Sequence, residues 1–315
     1  MAYDINSRPG VSYFASFFIL LGLVGAGLLI GGVASLVMWF ASTGKMPAMG
    51  DMLKSDNVQL LRMMQLVSTF FMFFLPAFFT ALIVHRKPFQ FLGFNLRFSF
   101  RQLVLIILIM LAALPLVGAL SELNRIIPIP SSWQTVFKKM EDSYTEQVKV
   151  LARITGTKDY IISLVVMAIA PAIFEETLFR GGMQNILQRW TKMPWLSIVI
   201  TSIIFSAIHF SYYGFVPRLA LGVILGLIFY YSGSLWLSVL AHAFNNALVV
   251  TQVYYLTRQG KSIDEAMNES YPLWWGALAL LVLIIIMALF KRISEDVKRR
   301  KAPPEEKALY EKWMT

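Results

Sequence analysis

The chain has 315 residues, 57% hydrophobic and only 15% charged, and it contains no cysteine, which excludes disulfides, thiol catalysis and cysteine-ligated metals. Soluble domains carry about 25% charged residues, so the composition instead predicts an all-α, polytopic integral membrane protein. The net charge of +10 does not indicate nucleic-acid binding, because the basic residues cluster between apolar segments and at the C-terminus. Cytoplasmic loops and contacts with lipid headgroups explain that distribution.

Apolar segments recur along the chain at the length that a membrane requires. A spanning helix needs roughly 20 apolar residues to cross a hydrocarbon core of roughly 30 Å. Eight segments are candidates, of which the fifth and sixth are short. They cover about residues 13–41, 62–85, 102–121, 160–188, 195–211, 214–231, 235–257 and 272–290. The sequence therefore predicts about eight transmembrane helices within one membrane-embedded domain, residues 1–290.

Two pairs of glycines lie four residues apart within these segments. They are Gly27 with Gly31, and Gly222 with Gly226. Small residues at this spacing form a flat strip on one helix face, which lets a neighbouring helix approach closely in lipid. Both pairs therefore predict tight helix–helix contacts.

The distribution of Lys and Arg predicts the orientation of the chain. The loop after the second segment contains Arg86, Lys87 and Arg97, and the tail from Lys291 contains eight basic residues. Basic residues are retained on the cytoplasmic side. With eight spans, both conditions hold when the two termini are cytoplasmic, and residues 291–315 then form a basic cytoplasmic tail.

The segment from Glu122 to Asp159 falls on the outer side in this topology. Its sequence SSWQTVFKKMEDSYTEQVKVLARI has partial helical amphipathicity. That pattern predicts a helix lying along the outer interface. A soluble linker is an equally good interpretation of the same residues.

The stretch IFEETLFRGG, residues 173–182, places three charges inside an apolar segment. Arg180 follows Glu176 by four residues, so the two can pair on one helix face. Adjacent helical residues are rotated by roughly 100°, so Glu175 faces elsewhere and has no partner nearby in the sequence. An intramembrane carboxylate without a partner is a candidate functional residue. The alternative is that all three charges hold helices together.

Two of the three histidines, His209 and His242, also lie in apolar segments. Phe205 precedes His209 by one turn and can pack against its ring, while Asn246 follows His242 by one turn on the same helix face. Polar groups in a membrane must find partners within the protein. These side chains are therefore expected to converge on one polar, hydrated cavity.

Such a cavity has the groups needed to hydrolyse a peptide bond. A glutamate with a histidine can deprotonate and orient a water, and a second histidine with an asparagine can donate to an oxyanion. A proton relay in a transporter is the alternative, although the chain shows no paired halves with matching interrupted helices.

The same residues are compatible both with a zinc-dependent and with a metal-independent mechanism. Glu175, His209 and His242 would be a reasonable zinc set with an open fourth position, but the contiguous His-Glu-x-x-His pattern is absent. Asn246 is a poor zinc ligand and a good hydrogen-bond donor. A metal-independent mechanism is therefore favoured over zinc.

Three motifs carry a family resemblance. EETLFR fits Glu-Glu-x-x-x-Arg, FSAIH fits Phe-x-x-x-His, and HAFNN fits His-x-x-x-Asn. In this order the chain resembles the CAAX protease and bacteriocin-processing family of intramembrane proteases, also called the Abi family. The resemblance covers about residues 175–246 and implies a membrane peptidase with an eight-helix-type fold around a water-filled catalytic cavity.

The resemblance also implies roles for individual residues. Glu175 and His209 would activate the water, while His242 and Asn246 would stabilise the oxyanion. The supporting residues would be Glu176, Arg180 and Phe205. Family members have been described both as metalloproteases and as metal-independent glutamate proteases.

The expected partners are membrane lipid and a peptide or protein substrate. The expected location is a bacterial cytoplasmic membrane, because the family is abundant in bacteria. A role in bacteriocin self-immunity is also compatible with the resemblance.

Overall fold

The computed structural model describes residues 10–48, 57–260 and 272–301, and these ranges contain ten helices and no strand. The helices are α1 (Tyr13–Thr43), α2 (Val58–Val84), α3 (Pro88–Phe91), α4 (Phe100–Ile126), α5 (Ser131–Leu151), α6 (Thr157–Thr191), α7 (Pro194–Ala207), α8 (Phe215–Ser232), α9 (Leu235–Arg258) and α10 (Leu273–Lys301). The predicted all-α class is confirmed.

Each of the eight predicted spans coincides with a helix, but not all eight meet the requirements for crossing a membrane. By length and composition, six helices of the described ranges do so: α1, α2, α4, α6, α8 and α10. Helix α7 has only 14 residues. Helix α9 has 24 residues but carries His242, Asn245 and Asn246, which lower its hydropathy. The chain is a polytopic integral membrane protein. The two predicted spans that do not meet these requirements are α7, which ends just before His209, and α9, which carries His242 and Asn246.

Short turns with identifiable signals set the packing of helices α6 to α9. Lys192 ends α6 in the left-handed conformation with φ 60°, and Pro194 opens α7. Gly233 ends α8 with φ 69°, which glycine adopts without a steric penalty. Because these turns are so short, α7 folds back along α6 and α9 folds back along α8.

Both predicted glycine pairs lie at close helix contacts. A Cβ added at Gly222 would lie 2.9 Å from the Cβ of Ser202, so only glycine allows α8 to approach α7 this closely. Gly226 lies against α6 and α7 in the same way, and Gly27 meets the backbone of Phe71 in α2. The predicted contacts are confirmed.

Helix α5 confirms the helical interpretation of the Glu122–Asp159 segment and excludes a linker over Ser131–Leu151. It buries no side chain fully. Glu141 accepts hydrogen bonds from Ser211 Oγ at 3.2 Å and from the backbone N–H of Tyr213 at 3.3 Å. The helix therefore covers the turn that follows His209. Its position at the outer interface stays a prediction.

The C-terminal helix continues beyond the predicted boundary at residue 290. Gln102 Nε2 donates to Ser294 Oγ at 2.9 Å, and Lys301 Nζ donates to the carbonyl oxygen of Phe98 at 2.5 Å. The first part of the basic tail thus packs against the basic loop before α4, so both lie at one end of the molecule. Which side of the membrane this end faces stays a prediction, and residues 302–315 lie outside the described ranges.

Candidate active site

A fully buried ion pair lies at the centre of the helix bundle. Glu176 and Arg180 are both 0% exposed, and Arg180 Nη1 donates to Glu176 Oε1 at 2.7 Å. Arg180 Nη2 donates to the carbonyl oxygen of Gly222 at 3.0 Å, and Ser238 Oγ donates to Glu176 Oε2 at 2.5 Å. The pair predicted from the four-residue spacing is present, and it joins α6 to α8 and α9.

The imidazole of His242 lies between the two adjacent glutamates. Its Nδ1 is 2.8 Å from Glu176 Oε1, and its Nε2 is 4.0 Å from Glu175 Oε2. The two carboxylates diverge as predicted, but a single ring meets both, so Glu175 does have a neighbour on another helix. Their environments differ, since the Glu175 side chain keeps 12% exposure and that of Glu176 has none.

Phe205 brings the two histidines of the site together. Its ring centroid lies 5.2 Å from that of His209 and 5.8 Å from that of His242, edge-to-face in both cases. The guanidinium carbon of Arg180 lies 4.8 Å from the same centroid. The predicted packing of Phe205 on His209 is confirmed, and the same ring also contacts the buried ion pair.

His209 lies in the turn after α7 and not within the predicted helix, which ends at Ala207. Its Nδ1 is 2.8 Å from the carbonyl oxygen of Phe205. A carbonyl oxygen can only accept, so Nδ1 carries the hydrogen of this bond. In the neutral ring Nε2 is then an acceptor.

Glu175 and His209 lie at similar separations along the chain from the α6–α7 turn. Glu175 is 16 residues before the end of α6 at Thr191, and His209 is 15 residues after the start of α7 at Pro194. The shortness of α7 therefore does not by itself separate the two residues.

Asn246 lies one turn beyond His242 on α9 and is half-buried. Its side-chain oxygen accepts from Asn245 Nδ2 at 3.3 Å. No other hydrogen bond joins its side chain to a described residue. The structure thus brings Glu175, His242 and Phe205 into one cluster with His209, and it leaves the amide nitrogen of Asn246 without a protein acceptor among the described residues.

The candidate zinc ligands are Glu175, His209 and His242. The described ranges contain no group of three His, Asp or Glu side chains already placed to hold a metal. His242 Nε2 and Glu175 Oε2 are 4.0 Å apart, wider than the roughly 3.4 Å between two ligands of one tetrahedral zinc. The Nδ1 atoms of both histidines bond to protein oxygens, as those of zinc-ligating histidines also do, so both Nε2 atoms stay available to a water or to an ion.

Two residues of the site were missed by the sequence analysis. Ser238 donates to Glu176 and lies one turn before His242, but serines are common in membrane helices and give a weak signal. Arg218 interacts electrostatically with both Glu175 and His209. The sequence does indicate Arg218 as a candidate functional residue, because it is the single charged residue of the predicted span 214–231.

Residues 157–248 match the family model described as type II CAAX prenyl endopeptidase, Rce1-like. The resemblance is confirmed for this segment. The matched residues run from the start of α6 to α9 and include Glu175, His209, His242 and Asn246. They therefore contain the cluster described above.

Curated relatives match the same part of the chain. A protein of Escherichia coli, described as an uncharacterized 24.3 kDa protein, is 38% identical over 88 residues, which is 27% of this chain and 41% of that protein. The uncharacterized protein YpbD of Bacillus subtilis is 29% identical over 103 residues, which is 31% of this chain and 50% of that protein. The matched regions thus cover half or less of these relatives. No solved structure matches this chain.

Proposed function

We propose that the protein is an intramembrane endopeptidase that hydrolyses a membrane-associated peptide with a water activated by Glu175 and His209. The observation that carries the proposal is the packing of His209 and His242 on Phe205, with the Glu175 carboxylate beside His242. The match of residues 157–248 to the Rce1-like endopeptidases supports it. A bacterial cytoplasmic membrane is the proposed location, supported by the Escherichia coli and Bacillus subtilis relatives.

Glu175 is the proposed general base. It is the less buried of the two adjacent glutamates, and no positive side chain of the described ranges is hydrogen-bonded to it. Glu176 is unsuited to this role because Arg180, Ser238 and His242 already occupy its oxygens. A base must retain a free lone pair for the proton that it removes.

His209 is the proposed partner in orienting the water. Because its Nδ1 donates to the carbonyl oxygen of Phe205, its neutral ring presents an acceptor at Nε2. One hydrogen of the water points to this nitrogen and the other to Glu175. The water oxygen then attacks the peptide carbonyl carbon, and the proton passes to Glu175.

His242 and Asn246 are the proposed donors to the tetrahedral oxyanion. Since Nδ1 of His242 donates to Glu176, its Nε2 donates to an oxyanion when the ring is protonated. The amide of Asn246 supplies a second donor from one turn away. Collapse of the intermediate breaks the C–N bond, and protonated Glu175 returns its proton to the leaving nitrogen, which yields a carboxylic acid and an amine; the acid then transfers its proton to the amine, giving a carboxylate and an ammonium.

The test compares wild-type protein with Glu175→Gln, which keeps the shape of the side chain and removes the base. Membrane peptides from cells producing each protein identify the cleaved bond, and turnover is then measured on that peptide with purified protein in lipid nanodiscs. We expect Glu175→Gln to lose roughly 10²–10⁴-fold in turnover, as loss of a general base does. Glu295→Gln, an exposed change in α10, is the matched control.

Two results would contradict the proposal. Equal turnover by wild-type and Glu175→Gln protein would remove Glu175 from the mechanism. The metal-independent form is tested on the same preparation. Stoichiometric zinc, with activity lost on chelation and restored on re-addition, would replace the glutamate mechanism with a metal-dependent one.

A further inference from the structure

Arg218 is a charged residue of the site that none of the three motifs contains. It lies in the first turn of α8, directly after the turn that holds His209. Its charge acts on both Glu175 and His209. Arg218 therefore lies within electrostatic reach of the groups that are proposed to activate the water.

Two contacts hold the guanidinium of Arg218 in place. Its Cζ lies 4.9 Å from the centroid of the Tyr144 ring in α5, a cation–π distance. On the other side, a Cβ added at Gly214 would overlap Nη2. Gly214 has φ −87°, which any residue adopts, so the contribution of this glycine is the room that it leaves for this position of the guanidinium. Helix α5 and the turn after His209 together form a slot for this side chain.

The guanidinium in this slot lacks a protein acceptor. Its Nη1 is buried without a hydrogen-bond partner among the described residues, and no described carboxylate forms an ion pair with it within 4.0 Å. Arg180 shows the contrast, because its Nη1 donates to Glu176. A buried charged donor left without an acceptor is costly and calls for a reason.

A carboxylate from outside the protein would satisfy this group. The planar fork of a guanidinium matches the two oxygens of a carboxylate, and such bonds are among the strongest in a site of low polarity. Glu175 is close enough to interact with Arg218 but does not pair with it. Arg218 is thus held within electrostatic reach of the base, while its Nη1 has no protein acceptor among the described residues.

We infer that Arg218 binds a carboxylate of the peptide substrate while the scissile bond lies beside Glu175 and His209. This inference rests on the proposed peptidase function and extends it to the class of substrate. The carboxylate belongs either to the C-terminus of the peptide or to an acidic side chain near the scissile bond. The arms of the experiment separate these two sources.

The experiment uses three internally quenched peptide libraries of equal length with the wild-type protein in lipid nanodiscs. The first has a free C-terminal carboxylate and no acidic side chain, the second is the same library amidated, and the third is amidated but carries one glutamate. We expect kcat/KM for one of the carboxylate libraries to exceed that for the neutral library by roughly 10–100-fold, as a charge-assisted pair supports. Preference for the first library assigns the C-terminus, and preference for the third assigns a side chain.

Variants of Arg218 connect that preference to the guanidinium. Arg218→Gln is expected to reduce the ratio to within roughly 3-fold of unity, and Arg218→Lys to retain part of it, because lysine keeps the charge without the fork. The matched control is Arg258→Gln. Arg258 also lies over a tyrosine ring, Tyr254, at 5.9 Å, but it is exposed at the far end of α9. Its substitution should leave the ratio unchanged.

Binding of the same libraries to the Glu175→Gln protein, measured by fluorescence polarisation, makes the test independent of turnover. If wild-type protein hydrolyses no library, the proposed function fails, and the ratio of binding affinities still decides the role of Arg218. The inference is overturned if wild-type protein shows no carboxylate preference in hydrolysis or binding. It is also overturned if Arg218→Gln weakens all three libraries equally, which is the signature of an oxyanion donor or of a structural residue.

Discussion

Exchange of Glu176 for glutamine should destabilise the protein far more than the same exchange at the neighbouring Glu175. The Glu176 carboxylate is fully buried and accepts from Arg180, Ser238 and His242. Glutamine keeps the size of the side chain but removes the charge and replaces one acceptor oxygen with an NH2 donor. The guanidinium of Arg180, also fully buried, then faces a neutral amide, and its other hydrogen-bonded acceptor among the described residues, the carbonyl oxygen of Gly222, is neutral as well.

The size of this effect follows from the burial of both charges. Removal of one partner of a buried ion pair typically costs about 3–5 kcal/mol, because the remaining charge is left uncompensated. This corresponds to a change of roughly 10²–10⁴ in the ratio of folded to unfolded protein. The Nε of Arg180 already lacks a hydrogen-bond partner within the described ranges. No existing bond from that nitrogen therefore offsets the loss of the carboxylate. Glu175→Gln should lower the free energy of unfolding much less, because Glu175 is hydrogen-bonded to no charged side chain of the described ranges and its exchange leaves no such partner without its acceptor.

The assay is the unfolding temperature of each variant in one detergent, with Glu175→Gln as the isosteric control. The double variant Glu176→Gln/Arg180→Met adds a second comparison, because it removes both charges and fills the volume of the arginine. We expect it to be more stable than Glu176→Gln alone, as removal of a whole buried pair is often nearly neutral. Equal stability of the two glutamine variants, or a double variant less stable than Glu176→Gln, would refute the structural role of the pair.

Two further predictions address the oxyanion donors and the topology. Asn246→Ala should reduce turnover by roughly 10²–10³-fold, the usual effect of losing one oxyanion donor. The unfolding temperature should change little, because Asn245 is the single hydrogen-bond partner of this side chain within the described ranges. Unchanged turnover would remove Asn246 from the site. The chain has no native cysteine, so Arg97→Cys and Lys139→Cys each provide a single exposed thiol. An impermeant maleimide applied to intact cells should label only Lys139→Cys, and the reverse pattern would invert the predicted orientation.

The motifs could be predicted from the sequence because their partners are local or nearly so. Glu176 with Arg180 and Phe205 with His209 are each separated by four residues, and helix geometry alone places such pairs together. The structure confirms both contacts. Hydropathy likewise identified the helices, because a segment that spans a membrane must be apolar over most of its length.

The contacts between helices could not be predicted in the same way. His242 meets Glu176 across 66 residues of sequence, and no periodicity encodes which ring nitrogen meets which carboxylate. The length of α7 was overestimated because apolar residues continue past its end, while the backbone leaves the helix at Ala207 and Phe210 adopts a positive φ of 51°. Helix α5 packs on the turn after His209 from a distant part of the sequence, and no local pattern indicates that contact.

The cost of charge in a membrane explains how the site is divided. Glu176 and Arg180 are both fully buried and neutralise each other. Their other hydrogen bonds are made with Ser238, His242 and Gly222. Glu175 and Arg218 are within electrostatic reach of each other, yet neither is hydrogen-bonded to the other. A protein selected for stability alone would bring Glu175 and Arg218 into hydrogen-bonding contact, as it does Glu176 and Arg180. Two such side chains held apart lose most of the electrostatic attraction that compensates for their burial. Glu175 is the base proposed to act on the water, and Arg218 is the cation proposed to bind the substrate. The two side chains that stay without a direct partner in each other are thus the two with proposed roles toward water and peptide.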